Sequence, residues 1–195
     1  MQRSEFYIRF LVFAALAIGA VPAWAHAGHA DIEGFVHAAM HPWTGVDHVL
    51  AALACGMVGA HVGGRAGATV LCAYIAGLVA GSLLNGSGPA WLVEVALGLS
   101  VATIGVLLLR PAMTGARFAV ATAAGFAVFH GFAHQMEVGG QAPFFATAAG
   151  FTLSTGVLLL AGFGLQRALR VLGVARGAVA WPLAATGALL VLRSY

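Results

Sequence analysis

The chain has 195 residues, of which 61% are hydrophobic and only 8% charged, with a mean hydropathy of +0.95 and a net charge of +3. Soluble domains carry ~25% charged residues, so this balance excludes a soluble globular protein and points to an all-α, polytopic membrane helix bundle. All the basic residues are arginines and they are scattered, which excludes a nucleic-acid surface.

The first 25 residues have the layout of a signal peptide. Arg3 and Arg9 precede the apolar run from Phe10 to Ala20, and Val21-Pro22-Ala23-Trp24-Ala25 supplies a small-x-small cleavage end. Residues 1–25 are therefore read as a signal peptide and 26–195 as one six-span transmembrane domain. An uncleaved anchor helix is the alternative. Cleavage would make His26 the new N-terminus, and its amine and imidazole would form a chelating tail with His29.

From Asp31 onward, hydropathy and turn residues mark six spans, near 35–62, 67–85, 89–109, 117–137, 143–164 and 177–194. With the mature N-terminus outside, Arg65, Arg110, Arg117, Arg167, Arg170 and Arg176 fall on the cytoplasmic side and Arg193 alone outside. That is the positive-inside pattern of an inner-membrane protein with both termini in the periplasm.

The first span carries His41-Pro42-Trp43-Thr44-Gly45-Val46-Asp47-His48. As one helix it would reach ~42 Å, against ~30 Å of hydrocarbon, so the spacing predicts a break between Pro42 and Gly45. A short outer helix would bear His37 and His41, and a longer one would start near Val46 with Asp47 and His48 in its first turn. The fourth span carries the second polar cluster, His130, His134 and Glu137, on one face at i, i+4 and i+7. In this topology both clusters lie at the outer end of the bundle.

An ionisable side chain at membrane depth costs ~2.5–3.5 kcal/mol on insertion scales. Several kept together call for a compensating ligand. Neutral imidazole with carboxylate suits Ni2+, Co2+, Cu2+ or Zn2+. The candidate metal ligands are His41, Asp47, His48, His130, His134 and Glu137, with His26, His29 and His37 as a relay and Glu94 as a supporting acid. The bland readings are helix-to-helix hydrogen bonding for any lone histidine, an interfacial position for His61, and packing for Met40, Met57 and Met136. Cys55 and Cys72 have no paired spacing and read as small buried hydrophobes. Gly77 with Gly81 and Gly63 with Gly67 have the small-xxx-small spacing that lets helices, or copies of the chain in a homo-oligomer, approach closely.

On His41-Pro42, Gly45, Asp47-His48, Phe129-His130-Gly131, Ala133-His134 and Glu137, together with the His26-x-Gly28-His29 start, the chain resembles the HupE/UreJ family of bacterial membrane proteins. That family is regarded as nickel permeases. The resemblance implies that His41, Asp47, His48, His130, His134 and Glu137 are needed for transport. This chain departs from the family pattern at Phe132, where another His is frequent, at Gln135, where Gly is, and at Leu159, which aligns with a His.

The expected function is transport of Ni2+ across the inner membrane without ATP hydrolysis, since no GxxxxGK[ST] phosphate loop is present. The alternative is a zinc-dependent intramembrane hydrolase with three histidines on the metal and an acid activating water. A haem protein with axial histidines ranks third. A rhomboid-like protease ranks last, because Gly98-Leu99-Ser100 lacks the glycine expected after the serine.

Overall fold

The computed structural model describes residues 29–84, 88–110, 115–138 and 143–194. Every regular element among them is helical: α1 (His29–Met40), a 3-10 turn (His41–Trp43), α2 (Val46–Val62), α3 (Gly64–Ser82), α4 (Ala90–Leu109), α5 (Ala116–Val138), α6 (Phe144–Val171) and α7 (Gly177–Arg193). The expected signal peptide and His26 lie outside the described residues, and the backbone of His29 opens α1.

Four helices, α3 to α6, are long and apolar enough to cross a membrane, and α1 with α2 makes a fifth span if the bent pair counts as one. The protein is a multi-pass membrane protein. The sixth expected span is α7, an apolar helix of 17 residues, at the lower edge of the ~17–25 that a crossing uses. Observed ends differ from the expected ones mainly at α1, which starts at His29, and at α6, which runs on to Val171 instead of ending near 164. Arg167 and Arg170 therefore ride on a helix and not in a loop. Nothing in residues 164–171 breaks a helix, since neither proline nor a turn pair interrupts them.

The predicted break is present. The outer segment (Ile32–Trp43) meets α2 at 76°. Pro42, buried at the start of the 3-10 turn, has no N–H to continue the α1 ladder. Thr44 closes the turn, its Oγ1 donating to the His41 carbonyl at 2.7 Å. The corner is tied to α6: Trp43 Nε1 donates to Ser154 Oγ at 2.5 Å, and that hydroxyl donates to the Ala39 carbonyl.

α2 is the central helix, and most of its length is buried. It touches α3, α4, α5, α6 and α7, while the tightest pairs are α3 with α5, α4 with α7 and α2 with α6. Small residues make these seams. A Cβ at Gly77 would overlap the Ala124 carbonyl, one at Gly81 that of Val128, and one at Gly131 that of Leu78, all between α3 and α5. Gly56 and Gly162 face the Leu159 and Leu53 carbonyls between α2 and α6 in the same manner. Gly63 and Gly67 do not act together as expected. Gly67 packs on Gly59, while Gly63, at φ +74°, makes the reversal between α2 and α3. Cys55 is buried as expected, but Cys72 is exposed on the outer face of α3. Large apolar side chains such as Phe118, Leu160, Trp181 and Leu189 point outward, as a lipid-facing surface requires.

Candidate metal centre

The corner between α1 and α2 and the last turns of α5 meet at one end of the bundle. His41 comes from the 3-10 turn, Asp47 and His48 from the first turn of α2, and His130, His134 and Glu137 from one face of α5. The two sequence clusters form a single side-chain group. The ring centroids of His48 lie 4.4 Å from His134 and 5.0 Å from His130, and those of His41 and His134 are 5.2 Å apart.

Burial grades the group from mouth to floor. The Glu137 side chain is 52% exposed and that of His41 21%, whereas His130 and His134 are each 1% exposed. An open cavity of about 370 Å³, lined by His41, Thr44, Gly45, Asp47, His48 and Glu137, forms the mouth.

Hydrogen bonding fixes which imidazole nitrogens are free. Glu137 pairs with His41 Nε2, and Asp47 Oδ1 accepts from His48 Nδ1–H at 3.0 Å. Ser100 on α4 gives its one proton to the Leu97 carbonyl at 2.6 Å. Its oxygen therefore accepts from His130 Nε2–H, at 2.9 Å. In a neutral ring each of these contacts leaves the opposite nitrogen with its lone pair. His48 Nε2, His130 Nδ1 and His134 Nδ1 are buried with no hydrogen-bond partner among the described residues. Leaving a buried polar atom unpaired costs ~1–3 kcal/mol, and here three stand on rings that lie close together. Phe151 of α6 stacks on His134, at 4.1 Å between centroids and 12° between planes, and so holds that ring in place.

Among the described residues, no three His, Cys, Asp or Glu side chains stand ready around one ion. Seating an ion between them therefore requires side chains to shift.

The other candidates lie at the margin. His37 is exposed, its ring 6.4 Å from that of His41. Glu94 is exposed and lines a second cavity, of about 240 Å³, with Asp47, Gly98, Arg193 and Ser194. Phe132 packs against Val93, Leu97 and Ala133, and Leu159 is buried in the apolar core. The sequence offers Ser100 only as a disfavoured protease serine and gives Phe151, Trp43 and Ser154 no part in the site. For Ser100 the available signal was one hydroxyl in an otherwise apolar stretch of the third span.

Comparison with known proteins gives the family. The HupE / UreJ protein family matches residues 14–190. The chain belongs to the HupE / UreJ family. It is also similar to Protein HupE of Rhizobium leguminosarum bv. viciae, with 36% identity over 154 residues, covering 78% of this chain and 79% of that protein. No solved structure matches the chain. For a HupE / UreJ chain, the expected polytopic helical architecture is thus in place, and His41, Asp47, His48, His130, His134 and Glu137 converge at one end of it.

Proposed function

We propose that the protein carries a divalent transition-metal ion, Ni2+ foremost, across the bacterial inner membrane through the histidine group at the α1–α2 corner. The observation that carries this reading is the set of three buried imidazole nitrogens, without hydrogen-bond partners among the described residues, beneath a mouth lined by two carboxylates. Membership of the HupE / UreJ family supports a role in nickel or cobalt handling.

Entry begins at Glu137 and Asp47, whose charge draws the hydrated cation into the open cavity. His41 leaves Glu137 and takes the ion, which passes to His48, and then to His130 and His134 on the floor. Asp47 and Ser100 hold His48 and His130 in the tautomers that offer lone pairs inward. Side chains that must shift to close on the ion also release it, which suits transport better than storage. His26, His29 and His37 gather metal outside. The driving force is the membrane potential, ~2.3 kcal/mol per charge per 100 mV and twice that for a divalent ion, together with capture of the metal inside.

Uptake of radiolabelled nickel by cells expressing the protein tests the reading. His48→Ala and His130→Ala are expected to fall to the background of cells without the protein, at unchanged protein level. Undiminished uptake overturns the assignment of the site. Competition by Co2+, Cu2+ and Zn2+ ranks the metals, because imidazole affinity alone favours copper and selectivity has to come from geometry.

A further inference from the structure

We propose that the opposite end of the bundle holds a binding site for a phosphate-bearing anion, formed where α6 turns into α7. A cavity of about 190 Å³ opens there, lined by Gln166 and Arg170 of α6, Gly173 of the turn, and Arg176 and Val179 at the start of α7. At ~30 Å³ per water, it has room for a phosphate group and some of its hydration.

Gln166 points to a ligand in it. The residue is 6% exposed, lines the cavity, and its amide has no hydrogen-bond partner among the described residues. Arg170 makes only a long contact, 3.4 Å, to the Ala60 carbonyl. Arg176 has no carboxylate beside it. Every acid whose side chain is described (Glu33, Asp47, Glu94, Glu137) stands at the other end of the bundle. His61, with a buried unpartnered Nδ1, adds a further polar group within electrostatic reach of both arginines.

Gly173, at φ +69°, shapes the cavity by letting Val174 N–H bond back to the Leu169 carbonyl and Gly173 N–H to that of Arg170. This satisfies the last α6 carbonyls locally, so they do not repel an anion. Two guanidinium forks, an amide donor and the positive end of α7 then converge on one small volume, and that donor set matches phosphate oxygens. Val171 and Leu172, exposed beside the cavity, are placed to meet acyl chains if the phosphate belongs to a lipid head group.

The test uses the full-length protein in two arms. In one, protein from vesicles of phosphatidylglycerol and phosphatidylethanolamine is extracted and examined by native mass spectrometry for retained phosphatidylglycerol. In the other, inorganic phosphate is titrated against the thermal unfolding of delipidated protein in detergent. The double variant Arg170→Gln with Arg176→Gln is expected to lose binding at least tenfold. Gln166→Leu, which keeps both charges, should lose it several-fold and decides the matter if the double variant does not fold. Arg65→Gln with Arg117→Gln, arginines outside the cavity, should bind as the parent does. Selective loss of phosphatidylglycerol supports the site with a lipid as its source, and selective loss of phosphate stabilisation supports it with a soluble anion. Binding of neither ligand, or equal binding by all variants, overturns the proposal.

Discussion

At the residue scale, the histidines depend on small neighbours that carry no charge. Ser100 Oγ is the acceptor that commits the His130 proton to Nε2, and removing it frees the ring to change tautomer. Ser100→Ala is therefore expected to fold and to weaken nickel binding ~10–100-fold, the usual cost of losing a partner behind a metal-binding histidine. Equilibrium dialysis of purified protein with nickel measures it. Ser82→Ala, whose hydroxyl only bonds back to the Val79 carbonyl, should bind as the parent does. Gly45 is a second dependency, because a Cβ there would stand 2.9 Å from both Asp47 Oδ1 and His48 Nδ1. Gly45→Ala should force that pair apart and lower nickel uptake several-fold at unchanged protein level. His41, Asp47, His48, His130, His134 and Glu137 were legible as candidates because polar groups stand out in so apolar a chain. What each does was less legible. Asp47 is expected as a ligand, and one of its oxygens also accepts from His48 Nδ1, while Ser100 acquires its partner only because α4 lies against α5, which no periodicity in either helix announces.

At the element scale, close backbone contact between helices replaces the hydrophobic drive that lipid removes. Gly131 lies one residue after His130, where a Cβ would run into the Leu78 carbonyl. Gly131→Ala should therefore part α3 from α5, destabilise by ~1–3 kcal/mol through overpacking, and displace His130. Gly125, on the same helix, has open space where its Cβ would be, so Gly125→Ala should be neutral or stabilising by up to ~1 kcal/mol. Thermal unfolding in detergent separates the two, and equal effects would show that the α3–α5 seam does not matter. The break at Pro42 was legible because bilayer thickness and helix rise set a limit that the first span exceeds. The two extra turns of α6 were not, since hydropathy ends where the arginines begin while the backbone is free to continue as helix.

At the scale of the whole molecule, charge is separated along the bundle, and α7 decides how many times the chain crosses. Its 17 residues rise ~26 Å, a short span by length alone. Its ends nevertheless line the two cavities at opposite ends of the protein, with Arg176 and Val179 in one and Arg193 and Ser194 beside Asp47 and Glu94 in the other. A helix that reaches both runs the depth of the described bundle, as the expected six crossings with both ends of the chain on one side would require. On the positive-inside rule the arginine distribution predicts the periplasm for that side. Single cysteines in a Cys55→Ala, Cys72→Ala background report both points. With a membrane-impermeant maleimide, Glu33→Cys and Ser194→Cys should label in intact spheroplasts, and Arg65→Cys only after lysis. Protection of Ser194→Cys with labelling of Glu33→Cys would mean that α7 does not cross. The reverse pattern throughout would turn the molecule over, so that the carboxylate-lined mouth collected metal from the cytoplasm, and the chain would then be an exporter.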